Sequence, residues 1–420
     1  MENLDKRKWP KSPPEDERFK GIKIKNFLKL RAEYEKSAFV SEGHVEVRRL
    51  GASSFTMPIP PGETAITSLI CYQDGKIYGG TSGKKAHLFY YDPSPDGDAI
   101  VDIGIVEENA KITSLVCGKD GKIYGSVSSE KGGFLFSYTP SEILLENLDI
   151  SEKGLREIFD LPAKDQIFHS IVDPCCAIGK IEKIEFPVKE GISSMVIDKL
   201  KNKIYGITSE KGIFFIYDIA SGKFKIKEEI DEIREFSKKL VIDKNGYVYG
   251  AVCKGEIFRY DSNKDKVEKP GLLIPSLKGR ELYNRVDYWV FDEEREVIYG
   301  GTIDGILFIF NPVKEEIICL GKPIAQTRTR ALAVSKDGRV YGICGEKCCH
   351  MFLYNPYKRE LKDLGVLLAT VETPWYGYEF ESAATGKNGE IYFGESDRIS
   401  YLFIYFPPIM NFNKEDVKNE

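Results

Sequence analysis

Ile112-Thr113-Ser114-Leu115-Val116-Cys117-Gly118-Lys119-Asp120-Gly121-Lys122-Ile123-Tyr124-Gly125 repeats, almost residue for residue, the stretch from Ile66 to Gly79. Both open on Ile-Thr-Ser-Leu and close on Asp-Gly-Lys-Ile-Tyr-Gly. A supersecondary unit recurring at fixed spacing is the signature of a repeat architecture. The (Ile/Val)-Tyr-(Gly/Phe) step returns at Tyr78, Tyr124, Tyr205, Tyr249, Tyr299, Tyr341 and Tyr392. Intervals of roughly 42 to 51 residues, with one wider gap between Tyr124 and Tyr205, fit one four-stranded unit per repeat.

The pattern predicts an all-β, seven-bladed β-propeller of four-stranded antiparallel blades. Asp74-Gly75, Asp120-Gly121, Asn245-Gly246, Asp337-Gly338 and Asn388-Gly389 mark two-residue hairpin turns between the first and second strands. Third strands end at Asp92-Pro93, Asn311-Pro312 and Asn355-Pro356, where the missing amide costs no ladder bond. Fourth strands end in glycine, at Gly104, Gly321 and Gly365. After Pro407-Pro408 no such strand follows, and His44 to Gly51 carries the missing pattern. An N-terminal strand over 44–50 is therefore expected to complete the last blade and remove the open edges of the array. The domain plan is a mobile tail at 1–22, a helix with linker at 23–42, and a propeller at 43–408 followed by a tail at 409–420. Ile24, Phe27, Leu28, Leu30 and Tyr34 suggest the helix by their spacing. The wide gap, 141–191, lacks both the turn and the Tyr-Gly strand and is expected to be an insertion.

Bulk properties narrow the function classes. The chain of 420 residues is 42% hydrophobic and 30% charged, with a net charge of −5. That balance opposes broad nucleic-acid binding, which needs a basic footprint. No run of about eighteen apolar residues exists, so no membrane span is expected. Residues 1–9 lack the apolar core of a secretory signal. Nine cysteines then read as reduced thiols, and the cytoplasm is the expected location.

Lys76-Ile77-Tyr78-Gly79-Gly80-Thr81, followed by Leu88-Phe89-Tyr90-Tyr91-Asp92-Pro93, resembles the β-propeller superfamily, most nearly its quinoprotein-type and related bacterial repeats. The resemblance covers roughly 43 to 408 and implies the fold. No tryptophan recurs once per repeat, so the quinone-binding pattern is not reproduced. No family's functional residues carry over.

Candidate site residues are the departures from the repeat on the channel-mouth face, where loops on a rigid scaffold concentrate function. Near the start of the first strands stand Thr67, Thr113, Ser193, Lys238, Tyr288, Arg330 and Glu381. Small hydroxyls thus give way to charged and phenolic groups. The loops feeding the later repeats add Arg285, Arg328, Trp375 and Tyr376. Arginine forks suit carboxylates and phosphates, and aromatic faces suit sugar rings. His87 and His350 share one repeat position and are candidate proton-transfer residues, as is Tyr288. Cys344, Cys348 and His350 form a secondary candidate set for a divalent metal, and no other cofactor is expected.

Three functions follow from these residues. The first is a carbohydrate-active lyase or hydrolase on an acidic, uronate-containing oligosaccharide. In it Lys238, Arg328, Arg330, Arg285 and Glu381 bind substrate, Trp375 and Tyr376 stack on it, and His350, His87 or Tyr288 moves the proton. The second is a non-catalytic scaffold for a protein partner, with self-association through the N-terminal helix. The third is a metal- or thiol-dependent sensor.

Overall fold

Why the repeat keeps glycine after tyrosine is visible in the packing. A Cβ built on Gly79, Gly125, Gly206, Gly250, Gly300 or Gly342 would stand 2.0 to 2.4 Å from the ring of the phenylalanine across the hairpin. Each ring therefore lies directly on a bare backbone. In the last repeat Phe393 replaces the glycine, and its partner on the first strand is Ala383, where other repeats carry Leu69, Leu115, Met195, Trp289 or Leu332. The exchange conserves volume in a close-packed layer. The anchor tyrosines are buried. Several return their hydroxyl to the turn of their own hairpin: Tyr124 donates to Asp120 at 2.6 Å, and Tyr392 to Glu390 at 3.0 Å.

The computed structural model describes residues 42–50, 59–94, 98–140, 180–230, 239–370, 374–397 and 400–408. The chain is a β-propeller of antiparallel sheets. The first strands of successive repeats are Ala65–Cys71, 111–117, Ile192–Asp198, Val241–Ile242, Val286–Asp292, Thr329–Val334 and Phe380–Thr385. They contact one another in order, and the last returns to the first. Polar bonds stitch neighbours together. Thr67 Oγ1 donates to the Ile112 carbonyl at 2.6 Å, Thr113 Oγ1 to that of Ile192 at 2.8 Å, and Trp289 Nε1 to that of Lys239 at 3.2 Å.

These strands lie in six blade sheets, not the seven separate blades expected. Among the described residues, five of these sheets have four strands and one has six. The six-stranded sheet joins the first two repeats, because nothing breaks the chain between them. Ala99–Cys117 is one strand whose 99–111 part pairs with 82–92, and whose 110–117 part pairs with Ile123–Ser129. The ring closes as the repeat pattern predicts: His44–Arg49 pairs antiparallel with Tyr401–Phe406 at the sheet's edge, from His44 opposite Phe406 to Arg49 opposite Tyr401.

Part of the wide gap is not inserted. Ile181–Glu185 pairs with Gly132–Tyr138 and finishes the second repeat, while 141–179 lies outside the described residues. So do the helix expected within 23–42, the tails at 1–22 and 409–420, and Cys175-Cys176. The described residues contain no α-helix, and none of their helices is long and apolar enough to cross a membrane.

Candidate functional site at the channel mouth

A bulge decides which side chains reach the channel. In six first strands the ladder register shifts by one residue, leaving Thr67, Thr113, Ser193, Asp287, Arg330 and Glu381 outside the pairing. A bulge of this kind bends the strand and re-aims the extra side chain. In the first two repeats that side chain is a hydroxyl spent on the neighbouring strand. In the last three it is charged.

Asp287, not Tyr288, occupies the bulge of the fifth repeat. Val290 pairs with Tyr299 as Ile70 pairs with Tyr78, and the residue three positions earlier is 287 in one and 67 in the other. The hairpin turn between Asp292 and Val297 is one residue longer than the Asp-Gly turns, which shifts a count made backwards from the tyrosine.

The charged bulges meet in a cavity of about 230 Å³. Five cations line it: Lys111, Lys239, Arg285, Arg328 and Arg330. Two carboxylates, Asp287 and Glu381, and the phenol of Tyr288 complete the polar wall. Three positive charges are thus in excess. Arg328 grips Asp287 with two parallel bonds, Nε to Oδ2 at 2.5 Å and Nη2 to Oδ1 at 2.9 Å. This fork geometry fixes a guanidinium better than a single contact does. The Arg328 backbone sits at φ 70°, a left-handed conformation that non-glycine residues seldom adopt. Its amide donates to the Ile303 carbonyl at 2.9 Å, and its own carbonyl accepts from Gly345 at 3.0 Å. Lys111 is paired with Glu381, and Arg330 Nε reaches the Gly345 carbonyl at 3.4 Å.

The electrostatics follow from this crowding. Burial and then the neighbouring Lys111 push the Lys239 ammonium down to about 8, against the opposing pull of Glu381 and Asp287. Its Nζ stands 5.5 Å from the centroid of the Tyr288 ring. Burial alone would raise Glu381, but Lys111, Lys239 and Arg330 together hold it below the usual carboxylate range. Tyr288 is raised by burial and stays protonated at neutral pH.

Tyr288, Arg285, Arg328, Arg330 and Glu381, all expected from the sequence, therefore come together. Lys238 lies outside the described residues, and its neighbour Lys239 lines the cavity. Lys111, Lys239 and Asp287 were not anticipated. Lys111 lies two residues before a bulge, as Arg285 and Arg328 do in their own repeats.

His87 and His350 do not line the cavity. Each donates from Nδ1 to an aspartate on the adjoining fourth strand, His87 to Asp102 at 2.9 Å and His350 to Asp363 at 3.0 Å. His87 Nε2 also meets Glu63 at 3.1 Å, so both ring nitrogens face carboxylates. Tyr376 packs against Cys348 and Val366 beside the last repeat rather than on the cavity. Trp375 sits in a two-stranded ribbon opposite Ala369, and its side chain lies outside the description.

The three secondary metal candidates, Cys344, Cys348 and His350, are not gathered as a group. Among the described residues no three His, Cys, Asp or Glu side chains could share an ion. Cys344 is buried in a strand, Cys348 sits at φ 51° in the turn, and His350 is committed to Asp363. Burial pushes the Cys344 thiol up to about 12. A larger groove of about 560 Å³ lies at the hairpin-turn end. Four of its six charged groups are paired among themselves, Arg48 with Asp98 and Arg339 with Asp337, and Glu390 accepts from the Tyr392 hydroxyl at 3.0 Å.

No family model matches the chain, and no curated protein does. Solved structures do. A streptogramin B lyase superposes with a TM-score of 0.60 at 12% identity, covering 86% of this chain and 98% of the other. A catalytically inactive virginiamycin B lyase from Staphylococcus aureus, in complex with quinupristin, gives 0.60 at 10% identity, covering 86% and 100%. The likeness is one of fold. At this identity it carries no residue of either site across.

Proposed function

We propose that the channel-mouth cavity binds a small substrate through its carboxylate and promotes an elimination from it, a uronate being the substrate class favoured. The observation that carries the reading is the gathering of five cations and two carboxylates around one small cavity. The lyase names of the two fold neighbours accord with it.

Neutralising a carboxylate is what makes the adjoining carbon acid enough to lose a proton, and fixed cations do this without reorganising. Arg330 and Arg285 hold the carboxylate, while Arg328, pinned by Asp287, sets the field of the wall. Lys239, near 8 in its surroundings, has a neutral fraction at working pH and takes the proton. Tyr288 gives one to the departing oxygen. His87 and His350, fixed to their aspartates, brace the outer strands. The cavity's 230 Å³ suits one acidic sugar unit at a chain end rather than a long glycan.

Incubation with glucuronate-containing oligosaccharides is expected to release unsaturated products that absorb in the ultraviolet. Arg330→Ala is expected to lose about a hundredfold or more of that rate, the scale of removing one stabilising donor. Full activity in this variant, or no unsaturated product from any uronate, sinks the reading.

A further inference from the structure

We propose that Lys239 is also a nucleophile toward small 2-oxo acids, forming an imine with their carbonyl carbon while the arginines of the same cavity hold the carboxylate. The proposal deepens the carboxylate-binding reading above and rests on it for the anion site. It adds a covalent activity that elimination alone does not require.

The placement carries it. Lys239 lines the cavity together with Arg285 and Arg330, and a volume of about 230 Å³ fits a carbonyl acid of a few carbons. The ring of Tyr288 lies 5.5 Å from Nζ. Lys111, which lines the same cavity and is paired with Glu381, sets a second positive charge there. A lysine beside another cation in a desolvated pocket is the arrangement that leaves a neutral, attacking amine near neutral pH. The lowered pKa agrees, with Lys111 a named cause and Glu381 and Asp287 opposing it.

The step balances without an outside oxidant or reductant. The Nζ lone pair forms the C–N bond, and the carbonyl π pair moves to oxygen. One amine proton transfers to that oxygen to give the carbinolamine. Its hydroxyl leaves as water with a proton from Tyr288, which recovers it from the iminium nitrogen or solvent. Amine and ketone thus become imine and water. The carboxylate meets Arg330 and Arg285, so a charged carbonyl acid is preferred to a neutral ketone.

The test uses the full chain, pyruvate and borohydride. Borohydride delivers hydride to an imine carbon, and water supplies the proton on nitrogen, leaving a stable secondary amine that peptide mass spectrometry locates. The expected result is reduced pyruvate on Lys239, with labelling about tenfold or more lower when acetone replaces pyruvate, the worth of one charge-assisted contact. Lys239→Arg keeps the charge and is expected to abolish the adduct. Because that variant could misfold, labelling of the unmodified chain is followed against pH. Its rise is expected near 8 at Lys239, well below the rise at surface lysines. Adduct spread over surface lysines, equal labelling by acetone, or a Lys239 profile matching the others overturns the proposal. If labelling fails while uronate elimination depends on Arg330, only the imine step falls. If both fail, the anion site falls with them.

Discussion

Gly125→Ala is expected to lower the thermal unfolding midpoint by several degrees, among the largest losses any single methyl group produces in this chain. The added Cβ would stand 2.0 Å from Cζ of Phe136 and 2.2 Å from Cε1. Phe136 is fully buried, so the ring has nowhere to retreat without moving its neighbours. Forcing one carbon into such a layer costs about 3 kcal/mol. Gly222→Ala is the contrast. There φ is +66° and nothing lies within 4 Å, so only backbone strain of about 1 kcal/mol is paid. Circular dichroism melts of the two variants check the order. Equal midpoints would show that the phenylalanine does not need the bare backbone.

His87→Gln is expected to match Gly125→Ala in size but, unlike it, to depend on pH. His87 is 4% exposed and Glu63 7%, and the ring bridges Glu63 to Asp102. Removing one member of a buried charged set costs about 3 kcal/mol, because the others stay desolvated. Burial pushes the imidazole pKa down, but bonds to Asp102 and Glu63 outweigh burial and raise it above 6.5. A raised folded-state value means the stabilisation is fully present below the unfolded value and is lost as pH rises through the folded one. The gap between unmodified chain and variant is therefore widest near pH 6 and narrows on the alkaline side. Melts at stepped pH read this directly. A gap that widens with pH would mean that His87 is held neutral.

The fold was legible because its signals are local and recur. Turn glycines, the Tyr-Gly strand and the displaced strand at 44–50 each follow from hairpin chemistry within one repeat. The number of sheets was not. Whether two repeats share a sheet depends on the run from Ile105 to Ala110, which has neither proline nor glycine to end a strand. The site was legible where register is strict, at Arg330 and Glu381. It slipped at Tyr288 because one extra residue in a turn moves every count beyond it, which is the hazard of a period-two structure. The two histidines were seen as a pair, but their meaning lay in a second signal. Asp102 and Asp363 stand two residues before Gly104 and Gly365, whereas the fifth repeat has Cys319 before Gly321 and no histidine. Histidine and aspartate come and go together, which marks them as one paired feature of the repeat.

Isothermal titration of the full chain with glucuronate, against glucose as the uncharged match, tests the central claim that the channel mouth is a carboxylate site. The account predicts binding of glucuronate that weakens as salt is raised and disappears in Arg330→Ala, with no binding of glucose. Equal behaviour of the two sugars, or glucuronate binding untouched by Arg330→Ala, would contradict it.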